Sequence, residues 1–517
     1  MHFRQGSCVP IGGNRDRYGN RTTLVGVTLL QADEEVRTMR MSRRDYLRLL
    51  VTTGAAVMTG CAAPWQGGLS SRPSGQVLKT HLKLGEDSRW LNRLTFGVTP
   101  AELQRLSEMG KVAYLEQQLH PNEAGEHWLL RLRLRGFEVF QASPAELGDL
   151  PIPEVLRQLQ QHAILRAVYS RYQLQERMVD FWRDHFNVYA RKGLCAYFLP
   201  QYERDVLRKH AMGRFADLLK ATARSPAMLI YLDNTDNQRG VPNENYAREL
   251  LELHTLGVHG GYTQRDVQEV ARCFTGWTVE NRLLRPRGRF RFEPSLHDTG
   301  AKQVLGQTIA AGGGEEDGER VLKMVARHPS TARHVCKKLC LHFMGVAPQS
   351  TVQHLTQVFL QTDGDLAEVL RELLLSEAFM QAPGAFKRPF DYMVSALRAL
   401  NALTNGNRPL QEHLEKMGQP LYQWPLPDGY PHGAEAWKGT LLARWNFAIA
   451  LCAGEIAGTY VNLRALTNDS TAAEALLQTV FCLPPDEPAL RSLRENMRGT
   501  LVQQATLILA SPQFQWR

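Results

Sequence analysis

The sequence predicts an all-α fold, with one large helical domain over about 85–517 that carries at most a small β-hairpin. Apolar residues recur at spacings of three and four along most of the chain, which is the pattern of an amphipathic helix. Segments in which single polar and apolar residues alternate, as in a β-strand, are scarce. The composition does not change sharply between residues 85 and 517, as expected for one domain. The chain has 517 residues, of which 43% are hydrophobic, enough for a large core.

The individual helices follow from this periodicity and from capping sequences such as the Pro-Ala-Glu-Leu at 100–103. The predicted helical segments are 100–119, 153–189, 199–222, 319–344, 352–379, 389–402, 437–456 and 490–509. Two segments, 288–294 and 303–308, look extended, and we expect them to pair as one small hairpin.

Charge and hydropathy exclude two classes of protein. The chain has 61 basic and 52 acidic residues, but residues 1–60 hold nine arginines against five acids, so the remainder carries a net charge of only +5. Such a small surplus gives no basic surface for nucleic acid. No run of 18 apolar residues occurs, which excludes a polytopic membrane protein.

The N-terminal residues predict an export signal. Arg43 and Arg44 precede a short, mildly apolar stretch at 49–59 that ends at Cys61, an arrangement that resembles a twin-arginine signal followed by a lipobox. Met39 and Met41 are alternative start sites, which would leave residues 1–38 untranslated. The rival interpretation is a chance pair of arginines before a short buried helix.

The leader predicts a lipoprotein that is exported to the periplasm or cell surface and held at the membrane by lipid on Cys61. Ala62 follows this cysteine, so we expect sorting to the outer membrane in a host that has one. Residues 62–84 are rich in Ala, Pro, Gly and Ser in their first part and are predicted to be a flexible tether.

The centre of the chain carries its most specific motif. Residues 243–257 read Asn-Glu-Asn-Tyr-Ala-Arg-Glu-Leu-Leu-Glu-Leu-His-Thr-Leu-Gly, and 274–277 read Phe-Thr-Gly-Trp. With Trp182 to Phe186 and Leu442 to Asn446, these residues closely resemble the bacterial domain of unknown function 1800 family. The resemblance implies an exported helical protein of unsettled biochemistry, often encoded beside an exported protein that looks like sulfatases and alkaline phosphatases.

Within the motif, Asn245, Glu249 and Glu252 fall within about 60° of one another on a regular helix that Asn243 would cap. His254 would lie on the other side. The two glutamates could hold one divalent cation. The alternative is a ladder of ion pairs, Glu244–Arg248 and Arg248–Glu252, because both pairs are spaced four residues apart.

Other candidate residues flank this helix. Asp233, Thr235, Asn237 and Glu244 match part of a calcium-loop template, although Asx-turns also explain them. His185 follows an apolar stripe and is either a core histidine or a metal ligand. His297 precedes Asp298 in a turn bounded by glycine, where it could be a base or ligand.

Two functional classes remain open. The first is a metal-assisted cell-envelope hydrolase in which Glu249, Glu252, His185 and His297 converge on a divalent metal, and Glu249, Glu252 and His297 are catalytic. The helix 243–257 and the His297 turn would then share a polar cleft, to which Asp233, Asn243, Glu244, Asn245 and Arg248 contribute. The second class is a non-catalytic partner that binds or matures the co-encoded sulfatase-like protein.

Two further segments allow opposite interpretations. Three prolines lie among four aromatic residues, Tyr422, Trp424, Tyr430 and Trp437. If these aromatic side chains are exposed, they would stack on sugars or on a partner protein; if they are buried, they would form a packed loop. Cys336 and Cys340 share one helical face near two histidines, a weak zinc pattern for which a structural role is favoured.

Overall fold

A computed structural model describes residues 84–280, 288–467, 472–484 and 487–517. All of these lie in the compact unit Trp65–Arg517. The predicted signal residues Arg43 and Arg44, the lipidation residue Cys61 and the tether up to residue 83 lie outside the described residues.

The described chain is mostly α-helical, as the sequence predicts. The helices of its first half are α1 (Leu84–Leu94), α2 (Pro100–Met109), α3 (Lys111–Leu119), α4 (Trp128–Leu134), α5 (Pro144–Leu147), α6 (Ile152–Tyr169), α7 (Gln173–His185), α8 (Cys195–Gln201), α9 (Phe215–Ala223), α10 (Pro226–Tyr231), α11 (Asn245–Glu249) and α12 (Gln264–Cys273). Those of its second half are α13 (Glu315–Ala326), α14 (Pro329–Met344), α15 (Gln349–Gln361), α16 (Leu366–Leu375), α17 (Glu377–Gln381), α18 (Pro389–Ala399), α19 (Arg408–Lys416), α20 (Leu441–Ala453), α21 (Ala472–Phe481), α22 (Arg491–Asn496) and α23 (Leu501–Ala510).

Irregular helical segments join these helices. Two are π-helical, Tyr202–Arg208 and Leu250–His254. The 3₁₀ turns are Glu123–Gly125, Glu138–Phe140, Asn234–Asp236, Pro294–Leu296, Ala434–Thr440, Leu463–Leu466, Pro488–Leu490 and Pro512–Gln515. No helix in the described part of the chain is long and apolar enough to cross a membrane.

The β structure differs from the single predicted hairpin. Strand β1 (Trp277–Val279) pairs with β2 (Phe290–Phe292), and β3 (Lys302–Val304) pairs with β4 (Gln307–Ile309), both antiparallel. A third pair joins β5 (Leu403–Thr404) to β6 (Thr459–Tyr460). The prediction that 288–294 would pair with 303–308 was wrong: β2 pairs with the preceding strand β1, and the segment 303–308 folds back on itself as the β3–β4 hairpin.

Helix ends follow the sequence signals. Thr99 accepts a hydrogen bond from the Glu102 amide at 3.2 Å, and Pro100 occupies the first turn of α2. Thr263 and Asp266, whose spacing in the sequence predicts a capping box, form that box at the start of α12. Each cap satisfies backbone amides that a helix start leaves without an intrahelical partner.

The core contains a network of buried ion pairs around α7. Arg388, for example, pairs with the carboxylates of Asp180 and Asp184, and Arg183 contacts Glu203 at 3.3 Å. The buried members are Arg177, Arg183, Arg208, Arg388, Arg517, Glu176, Asp180, Asp184, Glu203 and Asp391. With equal numbers of opposite charges, the network fixes α7 against α18 and against the π-helical segment Tyr202–Arg208.

Candidate functional site

The helix predicted over 243–257 is not a regular α-helix along its whole length. It is α-helical only over α11, Asn245–Glu249, and is π-helical over Leu250–His254. A π-helix takes more residues per turn than an α-helix, so His254 leaves the position that the 100° rule assigned to it. Local π segments occur frequently at functional sites.

The polar loop before α11 is occupied by protein partners. Asp233 forms an ion pair with Lys192 at 2.7 Å and accepts a hydrogen bond from Asn245 at 3.1 Å. The side-chain oxygen of Asn243 accepts the Asn245 amide at 3.0 Å, whereas the N-cap position predicted for Asn243 is occupied by Glu244. These contacts favour the structural interpretation of the loop over a calcium site.

The predicted ion-pair ladder is present in part. Arg248 pairs with Glu244 at 3.0 Å. Glu252 instead accepts a hydrogen bond from the hydroxyl of Tyr262 at 3.4 Å. Glu249 has neither a hydrogen bond nor an ion pair within the described residues, and burial raises its pKa above the ordinary value. Repulsion by Glu252 and Asp428 adds to that rise, whereas Arg248 opposes it.

Asp428 is brought to these glutamates by the aromatic loop at 422–437. Its carboxylate accepts a hydrogen bond from the Trp424 indole at 2.8 Å, and the hydroxyl of Tyr231 donates to the Pro425 carbonyl at 2.8 Å. Tyr422, Tyr430 and Trp437 are buried, while Trp424 stays partly exposed. The loop is therefore packed, and one indole ring still faces outward.

Lys338 completes this group from α14. Its ammonium group has no hydrogen-bond or ion-pair partner among the described residues. Burial lowers its pKa to about 8, an effect that the negative charges of Asp184 and Asp428 oppose. We use the name Lys338 cleft for the group of Glu249, Glu252, Asp428 and Lys338. These residues are linked by the electrostatic interactions of Glu249 with Glu252 and Asp428 and of Lys338 with Asp428.

Histidines surround Lys338 on its protein side. His185 contacts the backbone carbonyl of His254 at 3.0 Å, and His334 contacts that of Leu253 at 3.2 Å. Burial and the nearby Lys338 charge lower the pKa of His254 to about 3 and that of His334 to about 4. The pKa of His185 and of His432 is also held well below the ordinary value, chiefly by burial.

These imidazoles do not fit a metal centre. The ring centre of His185 lies 6.3 Å from that of His254 and 6.1 Å from that of His334. Two imidazoles on one tetrahedral zinc ion place their ring centres about 5 Å apart. Among the described residues, no group of three or more His, Cys, Asp or Glu side chains is placed to hold a metal ion.

His297 lies in a different environment from the cleft. Its Nε2 contacts Asp317 at 3.2 Å and its Nδ1 contacts the Thr275 carbonyl at 2.8 Å. The ammonium group of Lys302 donates to the same carboxylate at 2.6 Å. All three charged or titratable side chains are buried. The imidazole of His297 thus contacts Asp317 and Thr275, and no hydrogen bond or ion pair joins it to Glu249, Glu252 or His185 in the described chain.

Comparison with known proteins gives one match. The family model described as "Protein of unknown function (DUF1800)" matches residues 89–516. The chain belongs to this family. No curated protein and no solved structure matches.

The DUF1800 match spans the whole Lys338 cleft, yet most of the cleft was missed by sequence reasoning. Lys338 and His334 stand four residues apart, a spacing that puts them on one face of α14. Their only sequence signal was the weak zinc pattern around Cys336 and Cys340, both of which are buried free thiols. Asp428 carried no motif, because its position depends on how the 422–437 loop packs.

Proposed function

We propose that this DUF1800 protein is an exported, lipid-anchored cell-envelope hydrolase that cleaves a glycan in the Lys338 cleft. The environment of Glu249 carries the proposal. Its carboxyl group has a raised pKa, lacks a partner in the described chain, and lies within electrostatic range of the carboxylates of Glu252 and Asp428. A carboxylic acid of raised pKa beside a second carboxylate is the arrangement that glycoside hydrolases use.

The groups in the cleft then have distinct roles, and the charge of Glu252 helps to raise the pKa of Glu249. Glu249 donates a proton to the oxygen of the leaving sugar. Asp428, oriented by the indole of Trp424, activates the attacking water. The unpaired ammonium group of Lys338 binds an acidic substituent of the glycan, and the partly exposed ring of Trp424 stacks on a sugar.

The proposal assigns no role to the divalent metal that the sequence analysis considered. Three of its four predicted ligands contact other groups: His297 contacts Asp317, His185 contacts the His254 carbonyl, and Glu252 accepts a hydrogen bond from Tyr262. Protein groups supply both the acid and the base in the proposed reaction.

The direct test is release of reducing ends from purified cell-wall glycan. Glu249→Gln should lower the rate by at least about 100-fold, because it removes the proton donor. Glu244→Gln is the matched control, since Glu244 stands one residue before α11 and pairs with Arg248; it should keep most of the activity. Equal rates in wild type and Glu249→Gln would contradict the proposal.

The membrane anchor is tested separately. Wild-type protein expressed in a bacterium with a twin-arginine pathway should incorporate labelled palmitate and should accumulate as precursor in globomycin. Cys61→Ala should abolish labelling and release the protein from the membrane. A Cys61→Ala protein that still labels and stays membrane-bound would refute the anchor.

A second candidate function is binding of the co-encoded exported sulfatase-like protein. One observation favours it: the side chains of Leu442, Trp445 and Ile449 form an apolar stripe on α20 that is exposed in the described chain. Copurification of the two proteins that is lost in Trp445→Ala, with no glycan released by wild type, would favour this candidate over the hydrolase.

A further inference from the structure

Lys387 and Ser395 form a polar pair in a cavity that none of the Lys338 cleft residues lines. The cavity has a volume of about 270 Å³ and lies between α1, α18 and the C-terminal segment 480–517. Its wall is mostly apolar, with Val480, Leu490 and Phe514 among the lining side chains. Lys387 and Ser395 also line it, although both residues are buried.

Lys387 and Ser395 are in direct contact. The Nζ atom of Lys387 donates a hydrogen bond to the Oγ atom of Ser395 at 2.7 Å. The same Nζ lies 3.8 Å from the centre of the Phe514 ring. When the amine is neutral, the direction of this hydrogen bond can reverse, so that the Ser395 hydroxyl donates to the Nζ lone pair over the same 2.7 Å.

The backbone around Lys387 is fixed on both sides. Its amide donates to the Gln515 carbonyl at 2.8 Å, and its own carbonyl accepts a hydrogen bond from Arg444 at 2.8 Å. Arg444 is fully buried and also binds the side chain of Gln515 at 2.9 Å. The lysine therefore has little freedom to turn away from Ser395.

Lys387 lacks a carboxylate partner within the described chain. The neighbouring Asp391 is engaged by Arg177, Arg388 and Arg517. Burial lowers the pKa of Lys387 to about 7, opposed by the charge of Asp391 and assisted by that of Arg444. Near neutral pH about half of the molecules thus carry a free amine that can accept a proton.

Space beside the serine depends on Gly97, which also lines the cavity. A Cβ atom at position 97 would lie 3.3 Å from the Ser395 hydroxyl oxygen, tighter than an ordinary contact. The glycine also has a φ angle of +123°, which side chains rarely adopt. The hydroxyl is therefore approached by backbone rather than by another side chain.

We propose that Ser395 and Lys387 form a nucleophile–base pair that hydrolyses a carboxylic ester with an apolar acyl group. Ser395 Oγ attacks the carbonyl carbon while its proton passes to the neutral Lys387 amine. The bond to the leaving alcohol then breaks, and the alcohol takes that proton. Water attacks the acyl-serine, again giving a proton to Lys387, and release of the acid restores the serine.

An alkyl fluorophosphonate tests the nucleophile directly. It should form an oxygen–phosphorus bond at Ser395 with loss of fluoride, and peptide mass spectrometry should locate the adduct there. The labelling rate should rise with pH through about 7 and then level. Ser395→Ala should lose the adduct. Ser88→Ala is the matched control, because Ser88 is a buried serine lining the same cavity, and it should label like wild type.

The lysine is tested by Lys387→Met, which should label at least about 100-fold more slowly because it removes the base. If this variant does not fold, Lys387→Arg serves the same purpose, since a guanidinium stays protonated. Folded wild type with no adduct on Ser395, an adduct on another serine instead, or Lys387→Met labelling at the wild-type rate would overturn the proposal. Glycan release should be the same in Ser395→Ala and wild type, so this proposal and that for the Lys338 cleft can fail independently.

Discussion

Gly429 packs directly against the backbone of Asp184, and a Cβ atom at position 429 would collide with the Asp184 carbonyl oxygen. Its φ angle is +75°, a left-handed conformation that favours glycine. This contact fixes the 422–437 loop at the end of α7. It therefore sets where Asp428 lies relative to Lys338 and Glu249.

Gly429→Ala should consequently destabilise the protein. Strain in the backbone and displacement of the loop are each expected to cost about 1–3 kcal/mol in the free energy of unfolding, measurable by urea titration. Gly433→Ala is the control, because nothing lies within 4 Å of a Cβ at that position and its φ is −70°. Equal stability of the two variants would show that the contact does not fix the loop.

The Asp317 network is expected to be structural. Asp317→Asn removes the charge that Lys302 and His297 share, and should cost about 3–5 kcal/mol because Lys302 stays buried without its partner. Glu316→Gln, at the exposed neighbouring position, should change the unfolding free energy by less than about 0.5 kcal/mol. If Asp317→Asn instead changes stability only slightly but abolishes enzymatic activity, His297 would be assigned a functional role.

Acid should destabilise the fold through its buried histidines. The pKa values of His185, His254, His342 and His432 are lowered by burial. The unfolded chain therefore binds protons below pH 6.5 that the folded chain does not, and stability falls as the pH drops. Each histidine contributes a loss of about 1.4 kcal/mol at pH 5.5. Glu249, whose pKa is raised, shifts stability in the opposite direction.

His342 allows this pH dependence to be dissected. Both of its ring nitrogens are buried without a hydrogen-bond partner among the described residues. His342→Phe should therefore reduce the stability lost between pH 7.5 and 5.5 by about 1.4 kcal/mol. His354→Gln, at an exposed position, is the control variant for replacing a histidine. No difference between these two variants would contradict the assignment.

Lys338 should titrate well below an ordinary lysine. Competitive acetylation over a pH series, with the products read by mass spectrometry, should give Lys338 a pKa of about 8. Free lysine added to the same reaction is the reference amine, whose side-chain pKa is about 10.4. Coincident titration of Lys338 and this reference would show that Lys338 is freely hydrated.

The sequence was sufficient to predict that the chain is helical and to predict side-chain pairs between residues close together in the chain. Amphipathic periodicity predicted helix over 319–344 and 352–379, which the structure divides into α13 and α14 and into α15, α16 and α17. Spacing alone predicted the Thr263–Asp266 cap and the Glu244–Arg248 pair. These features depend on residues within four positions of one another, so they need no knowledge of tertiary packing.

The site could be predicted only in part. Glu249 and Glu252 were placed on a shared face, but the regular-helix assumption failed where the π segment Leu250–His254 begins. The attachment of His297 to Asp317, twenty residues away, is a tertiary contact that no local pattern encodes. Lys338 and Asp428 meet because α14 and the 422–437 loop pack together, which depends on the whole core.

The melting temperatures of Glu249→Gln and Glu252→Gln test most directly whether the Lys338 cleft is functional. Removal of either charge relieves repulsion between the two carboxylates, so we predict an unchanged or higher melting temperature together with loss of glycan hydrolysis. A drop of many degrees in both variants, with activity per folded molecule intact, would show that these carboxylates serve the fold and would contradict the account.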